Sequence, residues 1–159
     1  YTVAASTGRV GEADFLKDLG ASEVIDRAEF SDEDKYRPLL KERFAGAVDS
    51  VGGLTLSSVL AQTKYGGSVA ACGLAGGMGI DKITVAPFIL RGVNLLGIDS
   101  VNASEAKRAR VWKEIGQFLS PQTLKAKGWT TECSLGDVAT YGDAILEGKV
   151  KGRVIVKVA

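Results

Sequence analysis

Apolar residues in this chain fall into short, nearly unbroken runs, and the stretches between them carry an apolar face at helical spacing. Residues 1–6, 22–26, 47–51, 68–72 and 93–98 read as strands, with two more at 129–133 and 154–158. Between them, residues 11–19 put Phe15, Leu16 and Leu19 on one face, and Gly20 ends the segment as a helix-terminating glycine does. Residues 54–63, 85–91, 104–119 and 136–147 read as further helices, the third carrying Val111, Ile115, Phe118 and Leu119 on its apolar side. Ser31-Asp32-Glu33-Asp34 opens a charged helix running to about residue 44, with acidic residues at its positive end and a break at Pro38. Tyr65-Gly66-Gly67 reads as a turn and residues 121–128 as a loop.

Strands of this kind alternating with helices predict an α/β fold, with a parallel sheet buried on both faces by flanking helices. The 159 residues contain no internal repeat or low-complexity linker, so one domain over 1–159 is expected. A net charge of +1 gives no electrostatic case for nucleic acid or an anionic membrane surface. No apolar run approaches the ~18 residues of a membrane span. The absence of histidine removes Ser-His and Cys-His nucleophile pairs and most zinc sites. Cys72 and Cys133 fit no metal or redox spacing, and Cys72, inside an apolar run, reads as a buried small hydrophobe. A reduced, cytoplasmic protein is the simplest inference. No residue is assigned to catalysis and none to a metal.

The chemistry-bearing residues cluster where strands end. The first strand ends Ser6-Thr7-Gly8-Arg9, with its first carboxylate only at Glu12. In a nucleotide-binding α/β sheet such a strand end faces the adenosine ribose. A carboxylate there suits the free 2′-OH of NAD, whereas hydroxyls and an Arg suit the 2′-phosphate of NADP. Ser6, Thr7 and Arg9 are therefore candidates for binding NADPH; a solvated Arg after a strand is the plain alternative. Val51 and Gly52 end the third strand, and Gly52 permits close approach of a dinucleotide. Gly73 and Leu74 follow the fourth, with Gly76 and Gly77 shaping the loop. Asp49 reads as a local backbone acceptor rather than a general base. Trp112 and Trp129 read as packing residues, and Lys107, Arg108 and Arg110 as the solvated side of a helix.

Four blocks, Gly46-Ala47-Val48-Asp49-Ser50-Val51-Gly52, the run from Tyr65 through Gly77, Pro87-Phe88-Ile89-Leu90-Arg91-Gly92-Val93 and Gly97-Ile98-Asp99-Ser100-Val101, together resemble one branch of the zinc-free medium-chain dehydrogenase/reductase superfamily. That branch is the NADPH-dependent acryloyl-CoA reductases, which are quinone-oxidoreductase-like. The ending Gly152-Arg153-Val154-Ile155-Val156-Lys157-Val158 also looks like that family's last strand. The resemblance implies a Rossmann-like fold entered at its second strand. A catalytic domain, the first strand and the Gly-rich pyrophosphate turn would precede it; Gly76-Gly77-Met78-Gly79 is no substitute, because no clear helix follows at once. In the strand order 3-2-1-4-5-6 the missing strand is central, so the rest of the same protein or another copy is expected to complete the sheet.

The resemblance places Gly73 and Leu74 near the nicotinamide and Arg153 near the cofactor or a CoA phosphate. It makes residues 93–98 an edge strand suited to pairing in a homo-oligomer. It implies hydride transfer from NADPH to the β-carbon of an α,β-unsaturated thioester such as acryloyl-CoA, with a quinone or enone as the alternative acceptor. A nucleotide-binding module without chemistry is the reading from another class.

Overall fold

The computed structural model describes residues 1–126 and 128–158. The chain divides into two compact units, Tyr1–Asn102 and Ala103–Ala159. In the first, β1 (Ala4–Thr7) pairs in parallel with β2 (Glu23–Asp26), in a register that sets Thr7 beside Asp26. A short 3-10 turn and helix α1 (Ala13–Asp18) connect them. The chain leaves α1 through Gly20, whose N–H donates to the Lys17 carbonyl at 2.8 Å while Ala21 reaches back to Leu16 at 3.0 Å. Those are paired helix-ending bonds that a left-handed glycine makes available.

A second, three-stranded parallel sheet has the order β3 (Phe44–Asp49), β4 (Thr63–Ala71), β5 (Asn94–Gly97). Helices α2 (Gly53–Gln62) and α3 (Ala86–Arg91) make the crossovers. Leu56 and Leu60 of α2 meet Val69 and Val93 in the core, with Ala47, Leu95 and Phe88 packed around them. Strand alternation sends Val48, Ala70 and Leu96 to the opposite face, in one row of the register. There Val48 is 80% and Leu96 48% exposed, so burial on both faces, expected from the sequence, is met on one face. No strand of the first sheet is hydrogen-bonded to the second.

Two local expectations fail. Residues 31–43 form no helix. Pro38 withdraws a donor and steers Arg37 away from helical geometry. The Asp32 carboxylate instead accepts from the Asp34 N–H at 3.1 Å and the Lys35 N–H at 3.3 Å, closing a turn. Tertiary bonds then hold the segment: Tyr36 donates its hydroxyl to the Lys82 carbonyl at 2.7 Å, and Leu40 N–H reaches Ala61 at 2.9 Å. The expected turn at Tyr65-Gly66-Gly67 is absorbed into β4 as an irregularity, where pairing with β3 jumps from Phe44↔Thr63 to Gly46↔Ser68.

The second unit pairs β6 (Thr130–Ser134) with β7 (Arg153–Lys157) in parallel and contains α4 (Glu105–Phe118), α5 (Pro121–Ala126) and α6 (Val138–Leu146). The loop expected at 121–128 is thus largely helical; Lys127 lies outside the described residues. Ser104 caps α4 by accepting from Lys107 N–H. No residue of α4 is buried, and Trp112, expected to pack, is 65% exposed. Glu132 sits between two ammonium groups, Lys125 at 2.5 Å and Lys157 at 2.7 Å.

Leu60 is fully buried at the centre of the core. Leu60→Ala is expected to lower stability by about 2–5 kcal/mol in equilibrium urea unfolding. The hydrogen bonds from Lys125 and Lys157 hold the Glu132 carboxyl at about 2, against an ordinary 4.5. A carboxyl lowered by folding adds stability above its unfolded pKa, and that contribution fades as pH falls through the folded value. Amide protection in β6 and β7 should therefore weaken from pH 4.5 toward 2, and less steeply in Glu132→Gln, as read by hydrogen exchange.

Candidate functional site

The first cluster lies at the carboxyl end of β1. Thr7 closes the strand, and its Oγ1 accepts from the Arg9 N–H at 3.0 Å, which turns the backbone sharply at Gly8. Thr7 and Arg9, named from the sequence, are thus joined on one bend, and Ser6 is the strand residue before it, paired with Ile25. The structure adds Arg27, the first residue after β2. Because Thr7 and Asp26 are register partners, Gly8 and Arg27 leave the pair of strands side by side. A Cβ built on Gly8 would stand 2.7 Å from Arg27 Nη2 and 2.9 Å from Cζ, so the guanidinium lies directly on the glycine. Asp26, the nearest carboxylate in sequence, accepts from the Ala28 N–H at 2.9 Å and so caps the next turn. Arg27 escaped the sequence reading because its position depends on parallel pairing across 20 residues; the signal available was a cation one step past a strand end.

The second cluster joins the loops after β3 and β4. Asp49 is 5% exposed, and its carboxylate accepts from the Gly52 N–H at 2.9 Å. That is the local backbone role read from the sequence. Gly52 has φ +74, and a Cβ there would stand 2.7 Å from the Gly77 carbonyl oxygen. A side chain is excluded on both counts. Gly73 presses equally closely on Ser50, whose oxygen is 2.6 Å from the position a Cβ would take. The loops are stitched by Gly76 N–H to Val51 at 2.7 Å and Cys72 N–H to Asp49 at 2.8 Å. Val51, Gly52, Gly73 and Leu74 are therefore brought together, and the side chain of Leu74 is 60% exposed.

An open groove of about 490 Å³ runs along Cys72, Gly73, Leu74, Ile98 and Asp99, at the ends of β4 and β5. Cys72, expected to be buried, is exposed because it stands just past the last paired residue of β4. Its thiol donates to the Asp49 carbonyl at 3.3 Å. Asp99 accepts from the Val101 and Asn102 N–H groups at 2.9 and 3.0 Å and so closes its own loop. Arg153 opens β7 in the second unit, where its guanidinium donates to the Gly152 carbonyl at 3.1 Å. Among the described residues no group of three or more His, Cys, Asp or Glu is placed to hold a metal ion.

Parallel strands whose carboxyl ends carry small-residue loops and hydroxyl and guanidinium donors define the nucleotide-binding class of α/β dehydrogenases. The family model for zinc-binding dehydrogenases matches residues 1–118, and the chain belongs to that family, within the medium-chain dehydrogenase/reductase superfamily. It is 51% identical over 158 residues to the acrylyl-CoA reductase AcuI of Ruegeria pomeroyi, covering 99% of this chain and 47% of that protein. It is 48% identical over 157 residues to the putative quinone oxidoreductase YhfP of Bacillus subtilis, with the same coverage. A crystal structure of the yhdH oxidoreductase from Salmonella enterica in complex with NADP matches with a TM-score of 0.91 and 45% identity, over 100% of this chain and 47% of that one. A structure of the Bacillus protein, with NAD bound, matches with a TM-score of 0.89. The chain spans about half the length of the curated relatives it matches.

Replacing Asp49 by Ala would strand the buried Gly52 N–H. A loss of about 1–3 kcal/mol in urea unfolding is expected, with Asp49→Asn, which keeps an acceptor, losing less.

Proposed function

We propose that this chain is the NADPH-binding part of a reductase that delivers hydride to the β-carbon of an α,β-unsaturated thioester such as acryloyl-CoA. The observation that carries the reading is the run of residues that ends β1 and turns after it: two hydroxyls, a bare glycine and an arginine, with the neighbouring Asp26 carboxylate engaged as a cap. Ribose with a free 2′-OH calls for an acceptor at this place; a 2′-phosphate calls for donors and positive charge. Ser6, Thr7 and Arg9 fit the second. NADP in the Salmonella structure and the acrylyl-CoA reductase relative support the same reading.

When bound, the cofactor would supply the hydride. The chain's own residues would bind and orient it. Ser6, Thr7 and Arg9 would hold the adenosine end. Val51, Gly52, Gly73 and Leu74 would offer a surface without obstructing side chains to the remainder, and Arg153 would meet a phosphate of the cofactor or of CoA. No residue here is assigned a catalytic role.

The rest of the same protein, or another copy, would pair with the free edges of β1 and β3 and cover the Val48–Ala70–Leu96 face. The edge strand β5 would serve a homo-oligomer. Residues outside this chain would bind the substrate. A cytoplasmic location accords with two free cysteines and with the finding that, among the described residues, no helix is long and apolar enough to cross a membrane. A quinone or enone is the second reading for the acceptor, favoured by the identity with YhfP.

In the intact protein, Arg9→Gln is expected to weaken NADPH binding about 10- to 100-fold, the scale of one or two charge-assisted hydrogen bonds, while NADH binding stays nearly constant. Equal losses for both would remove Arg9 from the 2′-phosphate site. NADPH consumption with acryloyl-CoA and with a quinone, side by side, decides the acceptor: faster turnover of the thioester is expected, and turnover of the quinone alone would replace the first reading by the second.

A further inference from the structure

Among the described residues, Lys82 alone combines a side chain with a left-handed backbone, at φ +57. A residue with a Cβ adopts that conformation only at a cost, so its surroundings must hold it there. The group that does so is Tyr36, from the irregular segment 31–43. Its hydroxyl donates to the Lys82 carbonyl at 2.7 Å, and the residue is 9% exposed. Burial pushes the phenol up, so it keeps its proton and stays a donor. The Lys82 ammonium also stands 2.7 Å from the Glu33 carboxylate, but both side chains are exposed and such a pair contributes little. Lys82 lies in the loop that joins β4 to α3 through residues 72–85. The first half of that loop is stitched to the loop after β3, by Gly76 N–H to Val51. The second half is fixed at three points. The Gly79 carbonyl accepts from Gly53 N–H at 2.9 Å, the Asp81 carbonyl from the Ser57 hydroxyl, and the Lys82 carbonyl from Tyr36. Met78, between the halves, is 87% exposed, so these anchors decide where the loop lies. The left-handed step follows the last bond to α2 and precedes Ile83, which packs against the core.

We propose that Tyr36 is a positioning residue for the cofactor: by holding Lys82 left-handed, it keeps the loop 72–85 seated on the start of α2, and with it the Gly77 carbonyl against Gly52. This rests on the cofactor reading above, in which Gly52 belongs to the surface offered to the dinucleotide. The Gly77 oxygen stands 2.7 Å from the place a Gly52 Cβ would take, so the two loops meet with no slack. Without the hydroxyl, the strained step at Lys82 is free to relax to an ordinary backbone, and the second half of the loop lifts from α2. A ligand that needs the seated loop then binds with an affinity reduced by the fraction of molecules that keep it. Tyr36 acts through Lys82 and Gly77 and is given no contact with the cofactor.

The test titrates NADPH into the intact protein by calorimetry. Tyr36→Phe, which keeps the ring and removes only the hydroxyl, is expected to weaken NADPH about threefold to tenfold. The Gly53 amide, the donor to Gly79, should exchange its hydrogen faster in the same variant. Adding Lys82→Gly to Tyr36→Phe supplies a residue that takes positive φ without strain, so the pair should recover most of the affinity and of the Gly53 protection. Such a rescue would not follow if Tyr36 served only to pack the segment 31–43. If the unmodified protein binds NADPH and Tyr36→Phe binds it equally well, the role given to Tyr36 is wrong while the cofactor reading stands. The same holds if Tyr36→Phe loses affinity and Lys82→Gly restores none of it. If the unmodified protein does not bind NADPH, the cofactor reading itself fails, and this inference with it.

Discussion

The constraint on which the rest of this structure depends is the absence of side-chain bulk where strands end. Three glycines carry it. Gly52 and Gly73 let the loops after β3 and β4 come backbone to backbone, at separations a Cβ would not allow, and Gly8 lets a guanidinium rest on the main chain after β1. In each case the glycine is read best by what occupies the space it leaves. The first two spaces are filled by carbonyl oxygens and make rigid loops. The third is filled by the Arg27 guanidinium, the far end of a long side chain.

The rigid pair is reinforced from below. Asp49 is buried, and its carboxylate ties the start of α2 to the end of β3. The Ser57 hydroxyl, one turn into the helix, donates to the Asp81 carbonyl, and the Gly53 N–H donates to Gly79 at 2.9 Å. The loops at the strand ends are thus held by the same helix that supplies Leu56 and Leu60 to the core. Packing energy and loop geometry share one element, so damage to the core at Leu60 would also loosen the loops.

Much of this was legible in the sequence, for a physical reason. Buried parallel strands must be continuously apolar, and residues 47–51 and 68–72 announce them within a residue or two at the carboxyl ends. Helices 85–91 and 104–119 are bounded by a proline near the start of one and a capping serine before the other, signals that act locally. What was illegible was set at a distance. Residues 31–43 carry helix-like charge patterning, but backbone groups of Leu40 and Arg43 are satisfied by Ala61, Gln62 and the Arg91 guanidinium, and the Tyr36 hydroxyl by the Lys82 carbonyl. Cys72 has the neighbours of a buried residue and is exposed because pairing stops one residue earlier. That Arg27 lies on Gly8 follows only once the register of β1 and β2 is known.

Arg91 ties down the irregular segment at residues 31–43. From the last turn of α3 it donates to the Leu40 carbonyl at 2.7 Å and to the Ala61 carbonyl at 2.8 Å, and it stands 3.4 Å from the Glu42 carboxylate. With the Leu40 N–H, which donates to Ala61, that cation fastens a stretch of chain that has no ladder of its own to the end of α2. Such a stretch behaves as a strap with few rivets. Its anchors lie on α2, on α3 and around Lys82 rather than within itself, so a protease would be expected to cut it sooner in a variant that lacks Arg91.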